Sequence, residues 1–229
     1  MKLKSSPRAL KKQVLDLLNQ EQFEKSLIAF RDFPARKVVN PIISFFYDSK
    51  SPLLKWRAVS AMGEVMFYLA NDNMESARVI MRRLMWNLNE ESGGIGWGSP
   101  EAMGEIMARQ ESLAKEYYRI LLSYIVEEKG NYLEHELLQR GVLWGIGRLA
   151  HARPQIMYGC TNALIPFLKS EDPNLRGLAA WAAGSLELDE TRSLLTDLLT
   201  DQASIEIYIP FDLKTLKICE LVKAAMPAD

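Results

Sequence analysis

A thirteen-residue frame recurs along this chain. Ser51-Pro-Leu-Leu-Lys-Trp-Arg-Ala-Val-Ser-Ala-Met-Gly63 and Asp172-Pro-Asn-Leu-Arg-Gly-Leu-Ala-Ala-Trp-Ala-Ala-Gly184 share a proline second, a base fifth and a glycine thirteenth. His135 to Gly147 falls in the same register. Ser92 to Gly104 fits in its second half, where Gly104-Glu-Ile-Met107 answers Gly63-Glu-Val-Met66. The repeated glycines at 63, 104, 147 and 184 stand 41, 43 and 37 residues apart. The stretch ahead of the frame repeats as well, since Ile42-Ile-Ser-Phe-Phe-Tyr47 answers Ala163-Leu-Ile-Pro-Phe-Leu168. One helix pair returning about every forty residues cannot bury its apolar face alone, so each pair must stack on its neighbour.

The rest of the chain agrees with a helical reading. Pro7 to Leu18 and Glu21 to Phe30 read as helices. So does Ala35 to Tyr47, where Pro41 bends the rod or marks its true start. After the turn Asp48-Ser-Lys-Ser-Pro52, a strongly periodic helix runs to about Ala70. Period-two alternation is confined to Ile205-Glu-Ile-Tyr-Ile209, a short extended piece before Pro210. The chain is therefore expected to be all-α, with about five helix pairs in a single domain over 1–229. In that division residues 1–33 form an N-terminal cap, 34–188 hold the repeats, and 189–229 form the last pair, with Asp212 capping its second helix. Between two helices lies the glycine-rich loop 92–99, where Gly93, Gly94, Gly96 and Gly98 fall within six residues. Ordering so many glycines is costly, which points to a sharp turn or a close approach of the backbone. Ser99 and Pro100 predict the N-cap and first residue of the helix that follows.

Asp172-Pro-x-Leu-Arg-x-x-Ala-Ala-x-Ala-x-Gly184 resembles a HEAT motif, and the likeness extends over roughly residues 34 to 225. The resemblance implies an α-α superhelix of the HEAT and armadillo type that binds a protein or peptide. In such proteins the second helix of each pair lines the concave surface. The segment Glu91-Ser-Gly-Gly-Ile-Gly-Trp-Gly-x-Pro-Glu-Ala is similar to one found in a set of uncharacterised bacterial HEAT-repeat proteins, which implies no mechanism.

Aligned on the repeated glycine, the columns two before (Ala61, Ala102, Gly145, Ala182) and two after (Val65, Ile106, Leu149, Leu186) are small and apolar. They define the packed side. The columns seven before, three before and one after share another face. These hold Trp56, Glu64, Trp97, Glu101, Glu105, Arg140, Trp144, Arg148 and Trp181. Exposed, such a stripe would be a binding surface, because aromatics and arginine dominate hot spots. On that reading Trp144→Ala and Arg148→Ala reduce partner capture and leave the melting temperature nearly unchanged. The competing reading is a ladder of salt bridges between repeats, with Glu105 between Glu64 and Arg148 and Glu101 near Arg140.

Other chemistry finds less support. No Lys follows the glycines as a phosphate loop requires, and no strand precedes them as a dinucleotide fingerprint requires. Backbone N–H groups at Gly93, Gly94, Gly96, Gly98 and Ser99 could still hold a small anion. With Glu90, Glu91, Glu101 and Glu105 they make the alternative site, for an anion, a metal or an enzyme. His135-Glu136 resembles the ligand pairs of deoxyhypusine hydroxylase, but that family needs several and this chain has one, so no metal or cofactor is assigned. A net charge of −1 argues against a nucleic-acid partner. Cys160 and Cys219, with no C-x-x-C pair, fit reduced thiols in the cytoplasm, and no apolar run is long enough for a membrane span.

Overall fold

The computed structural model describes residues 6–47, 51–89, 96–186 and 189–226. The chain forms two compact units, Met1–Gln110 and Glu111–Asp229. The division falls between helix pairs.

In the first unit, α1 (Pro7–Leu18) begins as Ser6 Oγ accepts the Ala9 N–H at 3.2 Å, with Pro7 in the first helical position. The predicted second helix is a short α2 (Phe23–Leu27) that tightens into a 3-10 turn over Ile28–Asp32. Next, α3 (Ala35–Ile43) carries Pro41 inside it and stops at Ser44, short of the expected Tyr47. Then α4 (Pro52–Asp72) repeats the cap of α1, with Ser51 Oγ accepting the Leu54 N–H at 3.3 Å. The pair α5 (Met74–Asn89) and α6 (Ser99–Arg109) completes the unit. The small and apolar columns are buried as expected: Ala61, Val65, Ala102 and Ile106 lie within the core.

The start of α6 differs from expectation. Ser99 is its first residue and not its cap. The N-cap is Gly98, at φ 77°, a left-handed conformation that L side chains rarely adopt. A Cβ on residue 98 would meet Phe46 Cβ at 2.7 Å, and one on Gly96 would lie 2.6 Å from the Asn87 carbonyl oxygen. Here glycine serves both purposes anticipated for the loop, a turn and a close approach. The Ser99 hydroxyl, predicted to cap, is buried with no hydrogen-bond partner. Gly93, Gly94, Glu90 and Glu91 lie outside the described residues, as do residues 48–50 of the turn expected over 48–52.

The second unit holds α7 (Glu111–Ser123) and α8 (Glu136–Ala152) as one pair. In the following pair the first helix is broken into α9 (Pro154–Met157) and α10 (Ile165–Leu168), with Gly159 at φ 82° between them. Its second helix is α11 (Pro173–Gly184), whose cap Asp172 accepts the Asn174 N–H at 2.9 Å. After α12 (Asp189–Asp197) the expected plain helix pair gives way to a hairpin. β1 (Ser204–Tyr208) pairs antiparallel with β2 (Leu213–Lys217), and α13 (Ile218–Ala225) closes the chain. The alternation at 205–209 marked the first strand. Its partner was assigned to helix, and Asp212 was expected to be the helix cap. Instead Asp212 sits in the turn, its carbonyl accepting the Ile209 N–H at 2.9 Å. The helix begins at Ile218, where the Glu220 carboxylate takes the Lys217 N–H at 2.9 Å. Ile205 and Ile207 turn inward and are buried, so the strand covers the core that a helix would otherwise cover.

Among the described residues the chain is all-α apart from this hairpin, and its helices follow one another as successive pairs. Among the described residues no helix is long and apolar enough to cross a membrane.

Candidate functional site: a buried charge chain and an aromatic cluster beneath the repeat stripe

Bare backbone at the repeated glycine brings α6 down onto α4. A Cβ at Gly63 would meet Glu105 Cγ at 2.6 Å and Arg109 Cδ at 2.9 Å. That approach sets Arg109 between two carboxylates: Nη1 lies 2.6 Å from Glu64 Oε2, and Nε lies 2.5 Å from Glu105 Oε1. Arg31 reaches the other Glu64 oxygen at 3.5 Å. One turn toward the start of α6, Lys55 Nζ contacts Glu101 Oε1 at 2.6 Å while standing 5.0 Å from the centre of the Trp56 ring. Glu64, Glu101 and Glu105 are 8%, 3% and 2% exposed. Burying three carboxylates is tolerable only with cations at contact distance, because desolvation otherwise exceeds the attraction gained. The arrangement is a clamp between neighbouring repeats. Glu101 Oε2 is left buried without a hydrogen-bond partner.

The second unit makes the same approach with different chemistry. Gly147 on α8 lies against the six-membered ring of Trp181 on α11, with no room for a Cβ. Trp144 packs on Trp181 and Tyr208 at ring-centroid distances of 6.3 and 6.2 Å, and its Nε1–H donates to the Tyr208 carbonyl at 3.1 Å. His151 stacks on Trp181 at 4.8 Å. At the start of these helices Arg140 donates to Asp172 Oδ2 through Nη2 at 2.8 Å and Nε at 3.2 Å. Arg176 meets Asp201 at 2.8 Å. The base fifth in the frame, Lys55 or Arg176, thus holds an acid from further along the chain, Glu101 or Asp201.

The stripe expected to be an open face is mostly covered. Trp97 is 36% exposed, and Trp56, Arg140 and Arg148 are half-buried. Glu64, Glu101, Glu105, Trp144 and Trp181 are interior. The reason is the neighbouring glycine, which lets the next helix settle on the column beside it. The ladder partners also differ from those expected. Glu105 pairs with Arg109, Glu101 with Lys55, and Arg140 with Asp172. Sequence reasoning missed Arg109, although its i+4 spacing from Glu105 was a usable signal. It also missed Asp172, singled out only as part of a motif. Tyr208 enters through the strand and had no helical signal at all. Among the described residues no three His, Cys, Asp or Glu side chains are grouped to hold a metal ion.

Asp172 carries a pH dependence. Burial raises its carboxyl, but the Asn174 bonds and the Arg140 guanidinium outweigh that and hold it below the ordinary aspartate value. The unfolded chain therefore binds the proton first, near pH 3.9. The stabilisation is complete above that value and is lost as pH falls through the native one. Asp172→Asn is expected to cost about 1 kcal/mol at pH 7. In urea unfolding the gap from wild type should narrow as pH falls from the unfolded value through the lower native one. A gap unchanged by acid would mean that the charge contributes nothing.

Compared with known families, residues 136–185, from the start of α8 to just past α11, match the model described as a HEAT-like repeat. No curated protein matches the chain. The segment from α8 to α11 thus matches a HEAT-like repeat in sequence and lies in an all-α chain of helix pairs.

Proposed function

We propose that the protein is a non-catalytic scaffold that recognises a protein or peptide through the second helices of its pairs. HEAT-like repeats are interaction modules, and residues 136–185 carry one. The observation that carries the reading is Trp97, a large aromatic 36% exposed just ahead of α6, the helix whose carboxylates Glu101 and Glu105 are paired with cations. In this reading Trp56 and Trp97 in the first unit, and Arg140 and Arg148 in the second, contact the partner. Glu64, Glu101, Glu105, Trp144 and Trp181 lie beneath and hold the helices in register. The proposal places the protein in the cytoplasm, in keeping with two unpaired thiols at Cys160 and Cys219.

The test is capture from lysate by the full chain, with bound proteins identified by mass spectrometry. Trp97→Ala and Arg148→Ala are each expected to reduce the recovery of one reproducible partner about tenfold, since a hot-spot truncation costs 1 kcal/mol or more. Melting temperatures should stay within about 2 °C of wild type. Undiminished recovery by both variants overturns this choice of face.

A further inference from the structure

The fifth tryptophan stands apart from the stripe. Trp86 on α5 is 68% exposed, and Val79, two turns earlier on the same side of the helix, is 51% exposed. At 1.5 Å per residue the two are about 10 Å apart along the axis. Exposed Arg82 and Arg83 flank the line between them. On one side lies α3, joined to α5 by Arg36, which donates to Ser76 Oγ, and by Arg83, which donates to Asn40 Oδ1. Together α3 and α5 carry five cations, Arg36, Lys37, Arg78, Arg82 and Arg83, against one carboxylate, Glu75. Glu75 is already held by Arg82 at 2.6 Å and Arg78 at 3.4 Å. Arg36 and Arg83 bond only neutral groups among the described residues, so their charges face outward uncompensated. A chain of net charge −1 has thus concentrated positive charge around two exposed apolar anchors on one face.

We propose that this α3–α5 face docks an acidic helical segment of a partner protein. Such a segment would present two apolar residues seven apart to Val79 and Trp86, and glutamate or aspartate to Arg36, Arg82 and Arg83. A helix with that spacing matches the distance between the anchors, and its carboxylates match the charge of the rim. Phosphate polymers fit less well: Glu75 interrupts the positive line one turn from Val79, and Val79 offers nothing to a phosphate. A membrane surface fits less well also, since two apolar side chains among arginines give too narrow a face to enter lipid. The face lies on first helices of the pairs, so it is separate from the second-helix surface proposed above.

The probe is a phage-displayed library of random 16-residue peptides selected on the immobilised full chain. Enriched sequences are expected to be acidic with apolar residues seven apart. An enriched peptide made synthetically should shift the emission of Trp86, a signal lost in Trp86→Phe. Its affinity should fall at least tenfold in the double variant Arg36→Glu/Arg83→Glu and in Trp86→Ala. It should be unaltered in Trp97→Ala, which separates this inference from the function proposed above. Wild-type melting temperatures in the variants establish that they are folded. No enrichment, enrichment without acidic residues, or equal binding by the variants overturns the proposal. So does tighter binding, dependent on Arg36 and Arg83, of a 20-nucleotide single strand or of phosphatidylglycerol vesicles.

Discussion

Replacing Trp144 by alanine is expected to destabilise the protein by about 3–5 kcal/mol, the range for truncating a buried large aromatic. The residue is 2% exposed and packs on both Trp181 and Tyr208. Alanine would leave a cavity between α8, α11 and the hairpin. It would also leave the Tyr208 carbonyl without the donor it has at 3.1 Å. Trp144→Phe separates these effects. It retains most of the ring contact and loses the hydrogen bond, so a loss of about 1–3 kcal/mol is expected, the cost of an unpaired buried acceptor with a small void. Urea unfolding followed by far-UV circular dichroism measures both. A change below about 1 kcal/mol in the alanine variant would mean that the indole is not an interior group. Sequence alone led to the opposite expectation, a neutral substitution on an open face. The difference is the burial of that column.

A comparable loss, about 3–5 kcal/mol, is expected for Arg109→Met, because one guanidinium serves two buried carboxylates. Removing it takes from Glu105, at 2% exposure, the cation it contacts at 2.5 Å, and leaves Glu64 with Arg31 at a longer 3.5 Å. The methionine fills similar volume, so the loss reports charge and hydrogen bonding more than packing. Adding Glu64→Gln and Glu105→Gln to the same chain should restore most of the stability, since a neutral cluster no longer needs the cation. The coupling between positions 105 and 109 should exceed about 1 kcal/mol in a double-mutant cycle. A single-variant loss under about 1 kcal/mol would show that water reaches these carboxylates and screens them.

Much of this architecture was legible in the sequence, for identifiable reasons. The caps at Ser6, Ser51 and Asp172 are local: a short side chain followed by proline meets an N–H within the next turn. The repeated glycine and its small neighbours are a packing signal with one period, and they marked α4, α6, α8 and α11. What could not be read was the neighbour. Periodicity states which side chains share a face and is silent on whether another helix lies over it. Trp144 and Trp181 were therefore taken for a surface. Their real partner, Tyr208, arrives on a strand 64 residues after Trp144, out of reach of any helical spacing. The charge chain was half legible for the same reason. Glu105 and Arg109 are one turn apart on α6, whereas Lys55 and Glu101 meet only once the helices are packed. The hairpin was half legible too, because alternation is clear in Ile205-Glu-Ile-Tyr208 and weak in Leu213-Lys-Thr-Leu-Lys217.

The two glycine seats have a consequence for evolution by recombination. Repeats are often treated as interchangeable modules that can be duplicated or reordered. Here Gly63 receives the stems of Glu105 and Arg109, while Gly147 receives the flat ring of Trp181. Transplanting the helix that bears Trp181 onto Gly63 would leave Glu64 beside an indole with only the longer Arg31 contact at 3.5 Å, and the reverse exchange would bring charge against Tyr208. The segments look alike in their spacing, yet each joint is shaped to its own mate, so they are not interchangeable modules.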